Sequence, residues 1–193
     1  VTLTIFDLET TGLSAYSDEI LQIAAVRLRV GEWVALERFA TFVRPSRRVP
    51  SHITALTGIT QADVAGAPLA TEALVRFSQF VGEGSTLIAH NGARFDVPFL
   101  RESCLRHALP VRETSFIDSC NLSRQLWGGR GGHGLDAVMD RLGLSAAGVR
   151  RHDARGDVDL LARAVQRMWE RLKPAADCCP VALRSAVLPA ISQ

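Results

Sequence analysis

The chain has 193 residues, 47% of them apolar and 22% charged, which fits one soluble globular domain with a sizeable core. Its net charge of +2 is too small to argue for a nucleic-acid partner by itself. No charged-then-apolar leader and no run of eighteen apolar residues occurs, and the single lysine, Lys173, follows no Gly-rich loop, so a membrane partner and a phosphate-binding P-loop are both excluded from the expectation.

Thr2 to Glu9 reads as a buried strand that ends in a turn at Thr10-Thr11-Gly12. Strand side chains alternate with period two, so Leu3, Ile5, Asp7 and Glu9 share one face and Leu8 between them turns outward. Glu19–Val30 and Trp33–Val43 read as two further strands joined by a two-residue connection at Gly31-Glu32, which opens the fold with three antiparallel strands. Ser51 is placed to cap a short helix to Leu56, and Thr60 another that stops at Gly66. The spacing of Leu74, Phe77 and Val81 predicts a helix over 71–81, followed by a strand at Thr86–Ala89. A helix from about Asp96 to His107 carries Pro98 in its first turn, where proline is tolerated. A short strand at Ser115–Asp118, a helix at Leu122–Trp127, a flexible loop at 128–134 and a helix at Leu135–Leu142 come next. Val158, Leu161, Val165, Met168, Trp169 and Leu172 form the apolar stripe of a last helix, stopped by Pro174. The four cysteines lack metal-ligand spacing, and a chain of this size needs no disulfide staples, so reduced thiols and a cytoplasmic location are expected. The fold expected is α/β: a mixed five-stranded sheet, three antiparallel strands first, flanked by helices. Residues 1–173 form the domain, and 174–193 a tail that is either flexible or partner-binding.

Two carboxylates side by side at the end of an apolar strand repel each other and resist desolvation, which a cation between Asp7 and Glu9 would relieve. Two further acids are candidates for the same site. Asp96 follows a strand end, beside Phe95. Asp157 falls on the face of Leu161 and Val165, whereas Asp159 falls with Arg163, Gln166 and Glu170 on the solvated face. An inward acid needs a partner, and a metal is the simplest one. His152, in the loop feeding the last helix, is placed to act as a general base. Taken alone, each residue has a plain alternative: strand-end acids, a helix cap, a surface histidine. Together they point to metal-assisted phosphodiester hydrolysis, in which two divalent ions about 4 Å apart activate water and stabilise the leaving oxygen. An oxygen-only ligand set suits Mg²⁺ or Mn²⁺.

Asp7-Leu-Glu9-Thr-Thr-Gly, His90-Asn-Gly-Ala-Arg-Phe-Asp96 and His152-Asp-Ala-Arg-Gly-Asp157 resemble the three motifs of the DEDDh family of 3′–5′ exonucleases. Leu56-Thr-Gly-Ile-Thr60 is similar to the family's segment before its second motif. Two departures stand out: one residue more than usual between Asn91 and Phe95, and Asp153-Ala-Arg-Gly after His152. The first motif resembles the proofreading (epsilon) subunit of bacterial DNA polymerase III; the other two are similar to the three-prime repair exonucleases. The resemblance, over about residues 1–172, implies a ribonuclease H-like fold. It implies metal ligation by Asp7, Glu9, Asp96 and Asp157, with His152 as general base. It further implies that Thr10 and Leu13 hold or wedge the terminal nucleotide, and that His90, Asn91 and Phe95 line the substrate cleft. The implied substrate is DNA with single-stranded or frayed 3′ ends, and a DNA polymerase subunit is an implied partner. RNA trimming is the alternative, and a non-catalytic nucleic-acid-binding or polymerase-tethering module the third reading. Arg94, Arg101, Arg124, Arg130, Arg150, Arg151 and Arg155 are candidate phosphate contacts.

Overall fold

Strand β1 (Thr2–Thr10) is the axis of a computed structural model that describes residues 1–145, 153–175 and 178–191. On one side β2 (Ile20–Arg29) pairs with it antiparallel, with Glu9 opposite Gln22, and β3 (Ala35–Phe42) continues the meander. On the other side β4 (Ser85–Ala89) and β5 (Val111–Asp118) join parallel. A further strand, β6 (Arg184–Pro189), pairs antiparallel with β5, giving the order β3-β2-β1-β4-β5-β6.

The α/β class and the mixed sheet agree with the expectation, but the sheet has six strands rather than five. The extra strand comes from the segment expected to be a flexible or partner-binding tail, 174–193. Two features hold it. Ala186 and Leu188 are buried in the core, and Ser78 Oγ donates to the carbonyl of Pro189 at 2.6 Å. A six-residue strand that ends in proline is too short to show a period, and proline is tolerated there because the strand lies at an edge. The β2–β3 connection is also wider than two residues. The Trp33 N–H bonds back to the Arg29 carbonyl at 2.9 Å, and the Trp33 ring meets Trp169 edge-on at 6.1 Å.

The helices are α1 (Ser51–Thr57), α2 (Gln61–Ala65), α3 (Ala70–Val81), α4 (Asp96–Arg106), α5 (Ser119–Trp127), α6 (Leu135–Leu142) and α7 (Ala154–Leu172). Thr60 and Asp63 form a full capping box on α2. Ser51 does not cap α1; Pro50 holds the cap position with no side-chain bond. Both faces of β1 are buried. Phe6 and Leu8 pack with Leu74 and Phe77 of α3 and Phe99 and Leu100 of α4. Leu3 and Ile5 pack with Leu161, Val165 and Met168 of α7. Each fully buried side chain of this size stabilises the fold by about 1.5–3 kcal/mol. Leu8 therefore turns into a second core rather than outward to solvent. Among the described residues no helix is long and apolar enough to cross a membrane.

Candidate active site

The pleat of β1 carries Asp7 and Glu9 past Leu3 and Ile5 on the α7 side of the sheet. Helix α7 brings Asp157 to them. Its first turn is capped by Asp153, whose side chain accepts the Arg155 N–H at 3.1 Å. Buried Gln22, paired with Glu9 across the ladder, accepts the Ala154 N–H at 3.1 Å and so docks the helix beside the strand end. Asp7, Glu9 and Asp157 consequently bring one carboxylate oxygen each within 4.8 Å of one another. Asp159 pairs instead with Arg38 at the surface.

Asp96 opens α4 and lines the same cleft. It is 2% exposed, and its Oδ1 is buried with no hydrogen-bond partner. Burial pushes its carboxyl up to about 7; the N–H groups of Asp96 itself and of Leu8 pull it down, and the Asp118 charge adds to the upward push. The Leu8 bond sets this carboxyl against the backbone between Asp7 and Glu9. A buried acid with an orphaned oxygen beside three converging carboxylates fits a divalent cation, which would supply the missing partner. The donor set is oxygen only, as Mg²⁺ and Mn²⁺ prefer.

The cleft measures about 610 Å³. Thr10, Leu13, His90, Asn91 and Phe95 all line it with the acids. Thr10 Oγ1 donates to the Gly12 carbonyl at 2.6 Å, tightening the turn after β1. A Cβ at Gly12 would lie 2.5 Å from Asp18 Oδ2, so that carboxylate would have to shift. Leu13 stands at the cleft wall, 88% exposed. The Phe95 ring meets that of Phe99 at 4.9 Å, tilted by 50°, and His90 Nδ1 shares a 2.8 Å hydrogen bond with Ser119 Oγ.

His152, Arg150 and Arg151 lie outside the described residues. Of the other candidate phosphate contacts, Arg124 lines the cleft. Arg155 is drawn instead to Asp153 at 2.8 Å. Cys120 and His133 also line the cleft and were not singled out by sequence. His133 Nδ1 meets Ser123 Oγ at 2.7 Å. The one local signal for His133 is its place in the Gly-rich run before α6.

The pattern that defines the exonuclease family RNase_T matches residues 4–165. A DNA polymerase III subunit epsilon-like protein of Rhodobacter capsulatus is 44% identical over 174 residues, which is 90% of this chain and 24% of that protein. A PolC-type DNA polymerase III of Clostridium perfringens is 37% identical over 170 residues, 87% of this chain and 11% of that one. The chain thus spans a quarter or less of the length of these relatives. Among solved structures, the nuclease domain of 3′hExo, a DEDDh family member bound to rAMP, superposes with a TM-score of 0.78 at 20% identity, over 95% of this chain and 96% of that one. Exonuclease X in complex with 5′ overhanging duplex DNA gives 0.70 at 25% identity, over 91% and 95%. The chain belongs to the RNase_T family of exonucleases and has the fold of the DEDDh 3′-exonucleases.

Proposed function

We propose that the chain is a metal-dependent 3′–5′ exonuclease that removes nucleotides from single-stranded or frayed 3′ ends of DNA, in proofreading or repair. The observation that carries this reading is the convergence of Asp7, Glu9 and Asp157 beside the buried, orphaned carboxyl of Asp96. Those four residues would hold two divalent ions, Mg²⁺ or Mn²⁺. Bound there, the ions supply the positive charge that activates water and stabilises the leaving oxygen. The protein's own groups do the rest. Thr10 and Leu13 receive the terminal nucleotide at the turn after β1, with Leu13 buried by the base it meets. His90, Asn91 and Phe95 line its path, and Arg124 offers a charge to a phosphate. His152, just ahead of α7, takes the proton from the attacking water as general base.

DNA is favoured over RNA because the two relatives named above are DNA polymerase III proteins. The same relatives make a DNA polymerase the candidate partner and the cytoplasm the candidate location. The test is digestion of 5′-labelled single-stranded DNA and RNA with Mg²⁺ or Mn²⁺. The expected result is a ladder shortening from the 3′ end of DNA, abolished by EDTA and by Asp7→Ala. Activity that survives both controls overturns the metal mechanism. Faster digestion of RNA moves the substrate to RNA. Binding without cleavage by the wild type moves the reading to a non-catalytic module.

A further inference from the structure

The turn that carries the second motif is held by a residue outside all three motifs. Asp118 ends β5, directly opposite Ala89 at the end of β4, and is 5% exposed. Its Oδ1 accepts the backbone N–H of Asn91 at 3.1 Å and of Cys120 at 3.0 Å; its Oδ2 accepts that of Ala93 at 3.1 Å. One carboxylate thus ties the 91–93 turn to the start of α5. Hydrogen bonds to a charged acceptor are about twice as strong as neutral ones, and three converge here.

The turn needs holding. Asn91 sits at φ 57°, the left-handed region that asparagine tolerates better than most residues. Gly92 is pressed against β4 and β5, and a Cβ there would meet the Ala89 Cβ at 2.5 Å and the Phe116 ring at 3.0 Å. From this clamped turn the bonding runs on into α4. The Gly92 carbonyl accepts the Val97 N–H at 2.9 Å and so fixes the peptide that follows Asp96. The neighbouring Ser119 hydroxyl holds His90 at 2.8 Å. The segment is also where the chain carries one residue more than the usual motif spacing. Asp96 nonetheless stands at the start of α4.

We infer that Asp118 is a positioning residue: its carboxylate clamps the 91–93 turn and thereby sets Asp96 for metal, while Ser119 sets His90 for substrate. The inference rests on the metal reading of Asp96 given above. Partners that orient a metal ligand in this way are worth about 10- to 100-fold in affinity or activity.

The test uses Asp118→Asn. With its oxygen kept on Asn91 and Cys120, the new amide presents N–H against the N–H of Ala93, so that bond is lost. Asparagine remains a good cap for α5, so the helix stays. Three readouts are taken: Mn²⁺ affinity by calorimetry without substrate, amide hydrogen exchange, and thermal unfolding. The expected result is Mn²⁺ affinity weakened about tenfold or more, faster exchange over 91–96, and unchanged exchange in α5. Gly92→Ala, which strains the same turn from the other side, should give the same Mn²⁺ signature. Ser119→Ala should weaken binding of single-stranded DNA in Ca²⁺ and leave Mn²⁺ affinity unchanged. A lower melting temperature with unchanged Mn²⁺ affinity and unchanged exchange over 91–96 would overturn the clamp. If the wild type cuts no DNA yet binds Mn²⁺ tenfold more tightly than Asp118→Asn, the exonuclease reading fails and the clamp stands. If the wild type cuts DNA and the two Mn²⁺ affinities are equal, the clamp alone fails.

Discussion

The acids of the cleft are held in place by two different kinds of structure. Asp7 and Glu9 stand on a central strand, paired along β2 from Thr2 to Thr10 and along β4 from Thr2 to Ile5. Many ladder bonds share the task of placing them, and the pleat alone makes them neighbours. Asp96 stands at the end of a turn that a few side chains hold, with Asp118 at the centre. The strand wall is expected to tolerate the loss of one neighbour better than the turn wall does. Asp157 is intermediate, set by a helical face and by the bond from Ala154 to Gln22.

The largest effect should come from the strand and helix wall. Asp157→Ala is expected to cut exonuclease turnover by at least about 1000-fold, roughly 4 kcal/mol of transition-state stabilisation, with circular dichroism unchanged. Turnover within tenfold of the wild type would remove Asp157 from the metal site. Next is a change in the edge strand, at a side chain that touches neither the acids nor the 91–93 turn bonds. Leu188→Ala in β6 opens a cavity in the core and should cost about 2–5 kcal/mol of stability by urea unfolding, with turnover unchanged well below the melting temperature. A cost under 1 kcal/mol would mean that β6 contributes little to the sheet.

A third measurement separates the turn wall from the strand wall by pH. Burial raises the Asp96 carboxyl to about 7, against about 3.9 when unfolded. The protonated form is therefore favoured in the folded chain. Its contribution is full below about pH 4 and is lost as pH rises through about 7. The metal-free wild type should melt at a lower temperature at pH 8 than at pH 5, Asp96→Asn should flatten that slope, and Mn²⁺ should stabilise the wild type most at pH 8. A slope unchanged in Asp96→Asn would show that another group carries it. The smallest effect is expected at the surface: Asp159→Ala breaks an exposed pair with Arg38 and should cost under about 1 kcal/mol with full activity. The contrast with Asp157→Ala, two positions away on the same helix, sharpens how much the inward face matters.

The features that repeat along the chain were legible from local pattern alone. Period two put Asp7 and Glu9 on one face, and helical spacing separated Asp157 from Asp159, because local backbone geometry alone dictates where those side chains go. The motif spacings likewise carried the family resemblance, including the register of Asp96. Tertiary structure decided what depends on residues far apart in the chain. Leu8 turned into a second core because helices cover both faces of the sheet. The tail segment became β6 because β5 offered it an open edge and α3 offered Ser78. Asp118 reached Asn91 across 27 residues and Gln22 reached Ala154 across 132. No local period or propensity encodes such pairings, since each bond exists only once the strands and helices have brought both partners together.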